Sequence, residues 1–222
     1  LISYKKALEL SPKSRTIQQA IADLEKGSCP SGKRLLHVVA GNGFAPEKKV
    51  VVFEIGSQDM TVPLKLPLYE PCPSQVEKIV VYTGRGKRLV ELSTVADVEA
   101  VCLRYQQDMM PLNMLKVTAV AARTIFEKAI LQNVGFVGSL ISGVHDEMSV
   151  CDTRSWMSLP ATIEAARIYI PRNLKTIQIV SYDKNGKRLA SKKVHLDRSS
   201  HNFVYARSMD KVIYAHPNQE MW

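Results

Sequence analysis

Apolar positions change period several times along the chain, and each change marks an element. From Tyr4 to Glu25 the period is helical, with Ile17, Ala20, Ile21 and Leu24 on one face and a C-cap at Gly27. Gly27-Ser28-Cys29-Pro30-Ser31-Gly32 reads as a boundary. Short β-rich runs follow: 35–40, 49–54, 62–68 between two prolines, and 76–82, which closes at Thr83-Gly84-Arg85-Gly86. Ser93 or Thr94, with Asp97 beyond, predicts a helix start, and Val98, Val101, Cys102, Tyr105 and Met109 share its face. Pro111 is expected to end or kink that helix. A second helix is predicted over 112–133, its stripe made of Leu115, Ala119, Ala122, Ile125, Phe126, Ala129 and Ile130. Gly135, Ser139 and Gly143 then recur every fourth residue, a spacing that suits tight packing or a flexible loop.

The last third returns to strands at 167–170, 176–183, 187–196, 202–207 and 211–215. Asn185-Gly186 predicts a two-residue hairpin turn, pairing Asp183 with Arg188, Tyr182 with Leu189 and Ile177 with Val194. Strands, two helices, then strands predict an α+β fold: antiparallel strands and hairpins flank a central helical pair. The opening segment Tyr4-Lys5-Lys6-Ala7-Leu8-Glu9-Leu10-Ser11-Pro12 resembles the second helix of a tetratricopeptide repeat. One helix pair cannot bury its own face, so residues 1–27 read as the remnant of a helical array, and 28–222 as the α+β domain.

Charge changes the picture more than bulk composition does. Of 222 residues 45% are hydrophobic and 23% charged, which excludes wholesale disorder, while the net charge of +9 favours polyanionic partners or a solvated basic surface. No run approaches the roughly 18 apolar residues of a membrane-spanning helix, so a soluble domain is predicted. The chain starts at Leu1 without a leader pattern, and a targeting signal or membrane tether is expected upstream. Cys29, Cys72, Cys102 and Cys151 form no CxxC pair, which excludes zinc-ribbon and dithiol redox motifs. Cys102 reads as a core thiol. Cys29 and Cys72, both beside prolines, can pair in an oxidising compartment.

Candidate chemistry is sparse. Thr83-Gly84-Arg85-Gly86-Lys87-Arg88 offers backbone N–H groups and cations to a phosphate, but it lacks P-loop spacing and reads better as an exposed basic turn. His145, Asp146, Glu147 and Asp152 hold potential metal ligands without a fixed spacing, so a polar loop is the favoured reading and no cofactor is expected. His145 also lies near Cys151, yet nothing there resembles a thiol-hydrolase pattern. The 184–193 hairpin carries Lys184, Lys187, Arg188, Lys192 and Lys193 beside Tyr182, a candidate polyanion-binding ribbon, and no nucleic-acid-binding motif accompanies it. The run Asp152-Thr153-Arg154-Ser155-Trp156 followed by Leu159-Pro160 reads as a structural corner anchored by Trp156, with Asp152 and Arg154 fixing the loop.

Taken in order, Tyr4 through Pro12, Gly41-Asn42-Gly43-Phe44-Ala45-Pro46, Leu66-Pro67, Ala121-Ala122-Arg123, the Asp152–Pro160 run and Ala166-Arg167 resemble the C-terminal region of a poorly characterised family of bacterial envelope proteins. Members carry a lipoprotein-type signal and tetratricopeptide-like helices. The resemblance implies a periplasmic protein, anchored to the outer membrane through a preceding segment, and assigns no catalytic residue. The expected role is therefore a non-enzymatic scaffold or protein-interaction module with protein partners in the envelope. The alternatives are a module binding lipopolysaccharide, cell-wall polymer or nucleic acid through the basic hairpin, and a hydrolase with an unfamiliar site.

Overall fold

The computed structural model describes residues 2–10, 12, 14–25, 30–57, 60–131 and 158–217. The protein is mixed α+β, mostly sheet, and its described residues include one long helix and two short ones. Its elements run α1 (Ile2–Leu10), α2 (Arg15–Glu25), β1 (Lys33–Asn42), β2 (Glu47–Ser57), β3 (Met60–Glu70), β4 (Lys78–Thr83), β5 (Arg88–Glu91), β6 (Ser93–Asp97), α3 (Val98–Leu131), β7 (Thr162–Pro171), β8 (Thr176–Tyr182), β9 (Arg188–His195), β10 (His201–Met209) and β11 (Val212–Pro217). They form two compact units. Unit 1 takes 1–45, 72–99 and 158–222; unit 2 takes 46–71 and 100–157. The boundary read after Gly27 does not coincide with this division, because the second unit is assembled from two insertions into the first.

Unit 1 is built on two sheets, ordered β11-β10-β1-β7-β6 and β5-β4-β8-β9. The period-2 alternation of each strand sends one set of side chains between them. Leu36, Val38 and Ala40 of β1, Ala166 and Ile170 of β7, and Val204 and Ala206 of β10 meet Ile79, Val81, Ile177, Ile179 and Val194 in one buried cluster. Not every pairing is antiparallel, as the sequence had suggested: β1 and β10 run parallel, Val38 opposite Val204. The long connection between them leaves β10 free to enter in either direction, which a hairpin would not. α2 packs on the outer side of the five-stranded sheet. Ser14 caps it, Ile17 and Ala20 are buried, and Asp23 meets Arg167 at 2.7 Å.

The helical pair of the sequence reading is a single helix. α3 continues through Pro111. Proline removes one backbone donor from the ladder, and the residues on both sides of it are nevertheless helical. Nor do Ser93 and Thr94 cap the helix; they lie in β6, paired with Ala165 and Glu164 of β7, and the helix starts five residues later at Val98. The carbonyl of Ala161 accepts from the N–H groups of Val98 and Glu99, satisfying that terminus. In unit 2, β2 and β3 pair antiparallel, with Val51 opposite Leu66, Phe53 opposite Leu64 and Ile55 opposite Val62 in the register.

The Asn185-Gly186 hairpin exists with a different turn. Only Gly186 has positive φ (78°), whereas a two-residue turn of the expected type needs it at both positions. The chain instead makes a four-residue turn closed by Gly186 N–H to Asp183 O (3.0 Å), with Asp183 Oδ1 accepting from Asn185 N (2.9 Å) and Lys187 N (2.8 Å). A bulge follows, so Tyr182 faces Arg188 rather than Leu189, while Ile177 faces Val194 as predicted. The side of Gly186 is open space, so Gly186→Ala costs only the left-handed strain, about 1 kcal/mol. A urea titration should show that loss, and Asn185→Ala should show less.

Candidate functional site

Two surfaces and one buried cluster hold what functional chemistry the described residues offer. The first surface is on α3. Tyr105, Leu112, Ala119 and Phe126 alternate with Val101, Asp108, Leu115 and Ala122 at spacings of four and three residues. All eight are exposed. Val101, Leu115 and Phe126 are 67%, 66% and 68% exposed, high for large apolar side chains on a helix. The helix's half-buried stripe is a different one, made of Gln106, Met109, Asn113, Val117, Ala121 and Ile125. The apolar stripe read from sequence therefore lies largely on the outside. Their spacing is the heptad seam of a coiled coil, open along more than three heptads. Arg104 and Lys116 border it, and Arg104 meets Asp108 at 3.1 Å.

The second surface is the outer face of the four-stranded sheet, and it contains an internal repeat. Ile79, Val80, Tyr82, Gly86, Lys87, Arg88 and Leu89 recur at Ile179, Val180, Tyr182, Gly186, Lys187, Arg188 and Leu189. Both copies form hairpins with the same turn: Gly86 has φ 86° and its N–H reaches Thr83 O at 2.9 Å. β4 and β8 pair antiparallel with Val80 opposite Val180, so a local pseudo-two-fold passes between those residues. Both valines are buried, on the side away from the core cluster that also carries Tyr82 and Tyr182, whose hydroxyls meet at 2.8 Å. That hydrogen bond, with burial second, raises the pKa of Tyr182, and the guanidiniums of Arg188 and Arg88 oppose the rise. Lys78 Nζ stands 5.9 Å from the Tyr182 ring. Register puts Lys193 and Gln178 at the same level on this face.

The five basic residues of the 184–193 hairpin are thus separated by the fold. Arg188 and Lys193 join the tyrosine face; Lys184 and Lys187 sit at the turn; Lys192, opposite Ile179, points to the other side of the sheet at its edge. The repeat brings Lys78, Tyr82 and Arg88 to the same face, which the sequence reading of a single hairpin missed. The recurrence of Tyr-x-x-x-Gly-Lys-Arg-Leu after 100 residues was the signal available.

The buried cluster lies at one end of the five-stranded sheet. Asn42 Nδ2 donates to Val76 O (3.1 Å) and Glu164 Oε1 (3.4 Å), and Ser74 Oγ donates to Asn42 Oδ1 (3.2 Å). Asp210 Oδ1 accepts from Gln75 N at 2.9 Å. Burial, offset in part by the Asn42 bond, raises the Glu164 pKa to about 7. Nearby, Leu159 O accepts from Ala45 N at 2.9 Å and from Arg207 at 3.4 Å. A Cβ on Gly41 would fall 3.1 Å from Pro160. Leu159 and Pro160 thereby tie three segments together. Asp152, Arg154 and Trp156 lie outside the described residues, as do Cys29, Cys151, His145 and the small-residue series from Gly135.

Among the described residues no group of three or more metal-ligating side chains occurs, and no helix is long and apolar enough to cross a membrane. No family model, no curated protein and no solved structure matches the chain.

Proposed function

We propose that this chain is a non-enzymatic protein-interaction module of the bacterial cell envelope, acting as a scaffold that docks an amphipathic helix of another protein on the α3 seam. The carrying observation is the run of eight exposed heptad positions from Val101 to Phe126. A helix with an unpaired seam of this length gains by burying it against a second helix. The flanking charges name the partner's chemistry: Arg104 and Lys116 are basic, so the docked helix carries acidic residues beside its apolar seam. A second copy of α3 would set these cations against each other. The periplasmic, outer-membrane-tethered setting rests on the family resemblance, as does the reading of α1 and α2 as the tail of a tetratricopeptide-like array.

The test places a photo-reactive residue at Ala122 of the purified protein and exposes it to envelope extract in 0.5 M salt. The expected product is a cross-link to a helix with heptad apolar spacing and acidic flanks, reduced about ten-fold by Leu115→Glu. Leu115 is on the surface, so the circular dichroism of that variant should match wild type. Cross-linking of α3 to α3 would replace the partner with a second copy. No seam-dependent product at any salt would end the scaffold reading.

A further inference from the structure

We infer that the outer face of the four-stranded sheet is a binding site for a phosphate-bearing saccharide, separate from the helix-docking seam. Two hairpins that share seven residues at matching positions lie side by side, and the pseudo-two-fold through Val80 and Val180 brings their functional side chains together. At its centre the hydroxyls of Tyr82 and Tyr182 share one hydrogen bond, which leaves a single O–H free to donate outward. Arg88 and Arg188, each at the bulge after its turn, both act electrostatically on Tyr182. An oxyanion over the tyrosine pair has one hydroxyl donor, and Arg88 and Arg188, bonded through one nitrogen each to Glu91 and Ser191, keep further N–H donors that suit a phosphate. Lys78 and Lys193 extend the positive field along the same face.

The surrounding groups select a saccharide over a nucleic acid strand. The cations do not form a continuous track. Glu91 pairs with Arg88, Asp183 holds the turn beside Arg188, and Gln178 donates to Ser191 at 3.3 Å. A polynucleotide places a charge at every residue, and some of those would meet carboxylates. A glycan with isolated phosphates places hydroxyls there instead, and carboxylate, amide and hydroxyl side chains accept or donate to them. Tyr82 and Tyr182 are on the same side of the sheet as the buried Val80 and Val180, with Lys78 over the Tyr182 ring, and they offer aromatic surface to a sugar ring. The face is used whole, since each hairpin supplies one tyrosine and one arginine.

The experiment titrates the full chain with pentamannose phosphate, with the same glycan after phosphatase treatment, and with a 12-nucleotide oligothymidine, by isothermal calorimetry at low and physiological salt. The phosphorylated glycan should bind, and removal of its phosphate should weaken binding about ten-fold. Arg88→Gln combined with Arg188→Gln should reproduce that loss, and Tyr182→Phe should weaken binding less while keeping the ring. Both arginines are exposed, so the variants should retain the wild-type melting temperature. Equal binding of both glycan forms, tighter binding of the oligothymidine, or full binding by the double-arginine variant would overturn the assignment. Leu115→Glu should leave glycan binding unchanged, so the result is independent of the α3 seam.

Discussion

Leu36→Ala should destabilise unit 1 by about 3–4 kcal/mol. Leu36 is fully buried on β1, the middle strand of the five-stranded sheet, opposite Ile168 of β7 on one side and Asn202 of β10 on the other. It belongs to the cluster that joins the two sheets, with Ile79, Val81, Ile177 and Ile179 in it. A strand hydrogen-bonded on both edges cannot shift to fill the space left by an isobutyl group. The loss therefore falls above the bare transfer cost of the removed carbons. For a unit of this size the melting temperature should fall by roughly 10 °C. Leu36→Met, which conserves volume, should cost under about 1.5 kcal/mol. Val52→Ala on β2, where the side chain is 55% exposed, should change stability by less than about 0.5 kcal/mol. Urea unfolding of the three variants checks the order. A Leu36→Ala loss close to that of Val52→Ala would mean that the two sheets do not share a core.

Strands made of short apolar, β-branched runs were legible in the chain. Asn202–Arg207 and Leu35–Ala40 fall inside β10 and β1 as such runs, but their near-continuous apolar sequence did not say which side is buried: Val204 and Ala206 are covered while Phe203 and Tyr205 are exposed. β5 and β6 were not, since Arg88–Glu91 and Ser93–Asp97 are too short and mixed to show a period, and a strand of that length is fixed by its neighbours. Pro111 had the larger consequence. Reading it as a helix end divides Val101–Phe126 between two helices, and a heptad seam that crosses the division disappears. Each half then looks like an ordinary core-facing stripe, because periodicity alone does not say which side of a helix the fold will cover. The tyrosine face was half legible. The basic residues of 184–193 were visible locally, but Arg88 and Tyr82 reach the same surface only through the β4–β8 pairing, a contact 100 residues long in sequence. The Asn42–Glu164 contact is likewise a product of strand register, and nothing near Glu164 in sequence marks it as buried.

Two titratable groups, one buried and one half-buried, should give the protein opposing pH dependences, separable by single substitutions. Glu164 is 5% exposed, and burial, against the hydrogen bonds of Asn42 and Thr162, lifts its pKa from 4.5 to about 7. The folded state thus holds a proton that the unfolded chain releases, and stability falls as pH rises from about 4.5 to about 7. A difference of that size is worth about 3 kcal/mol, lost in full above pH 7. His37 runs the other way. It stacks on Phe203, centroids 4.5 Å apart, and burial, with Arg167 and His201 nearby, lowers its pKa from 6.5 to about 4. The unfolded chain takes up a proton that the folded state refuses, so stability falls as pH drops from about 6.5 to about 4. His37 is only half-buried and solvent screens its neighbours, which makes its effect the smaller. In the wild type the two slopes offset each other between about pH 4.5 and 6.5. Glu164→Gln removes one of them, and its stability relative to wild type should grow steadily from pH 4.5 to 7. His37→Phe preserves the stack on Phe203 and removes the other, so its relative stability should grow as pH falls below 6.5. Urea midpoints measured from pH 4 to 8 check both, and parallel profiles for Glu164→Gln and wild type would show that Glu164 titrates in the folded protein as it does in the unfolded chain.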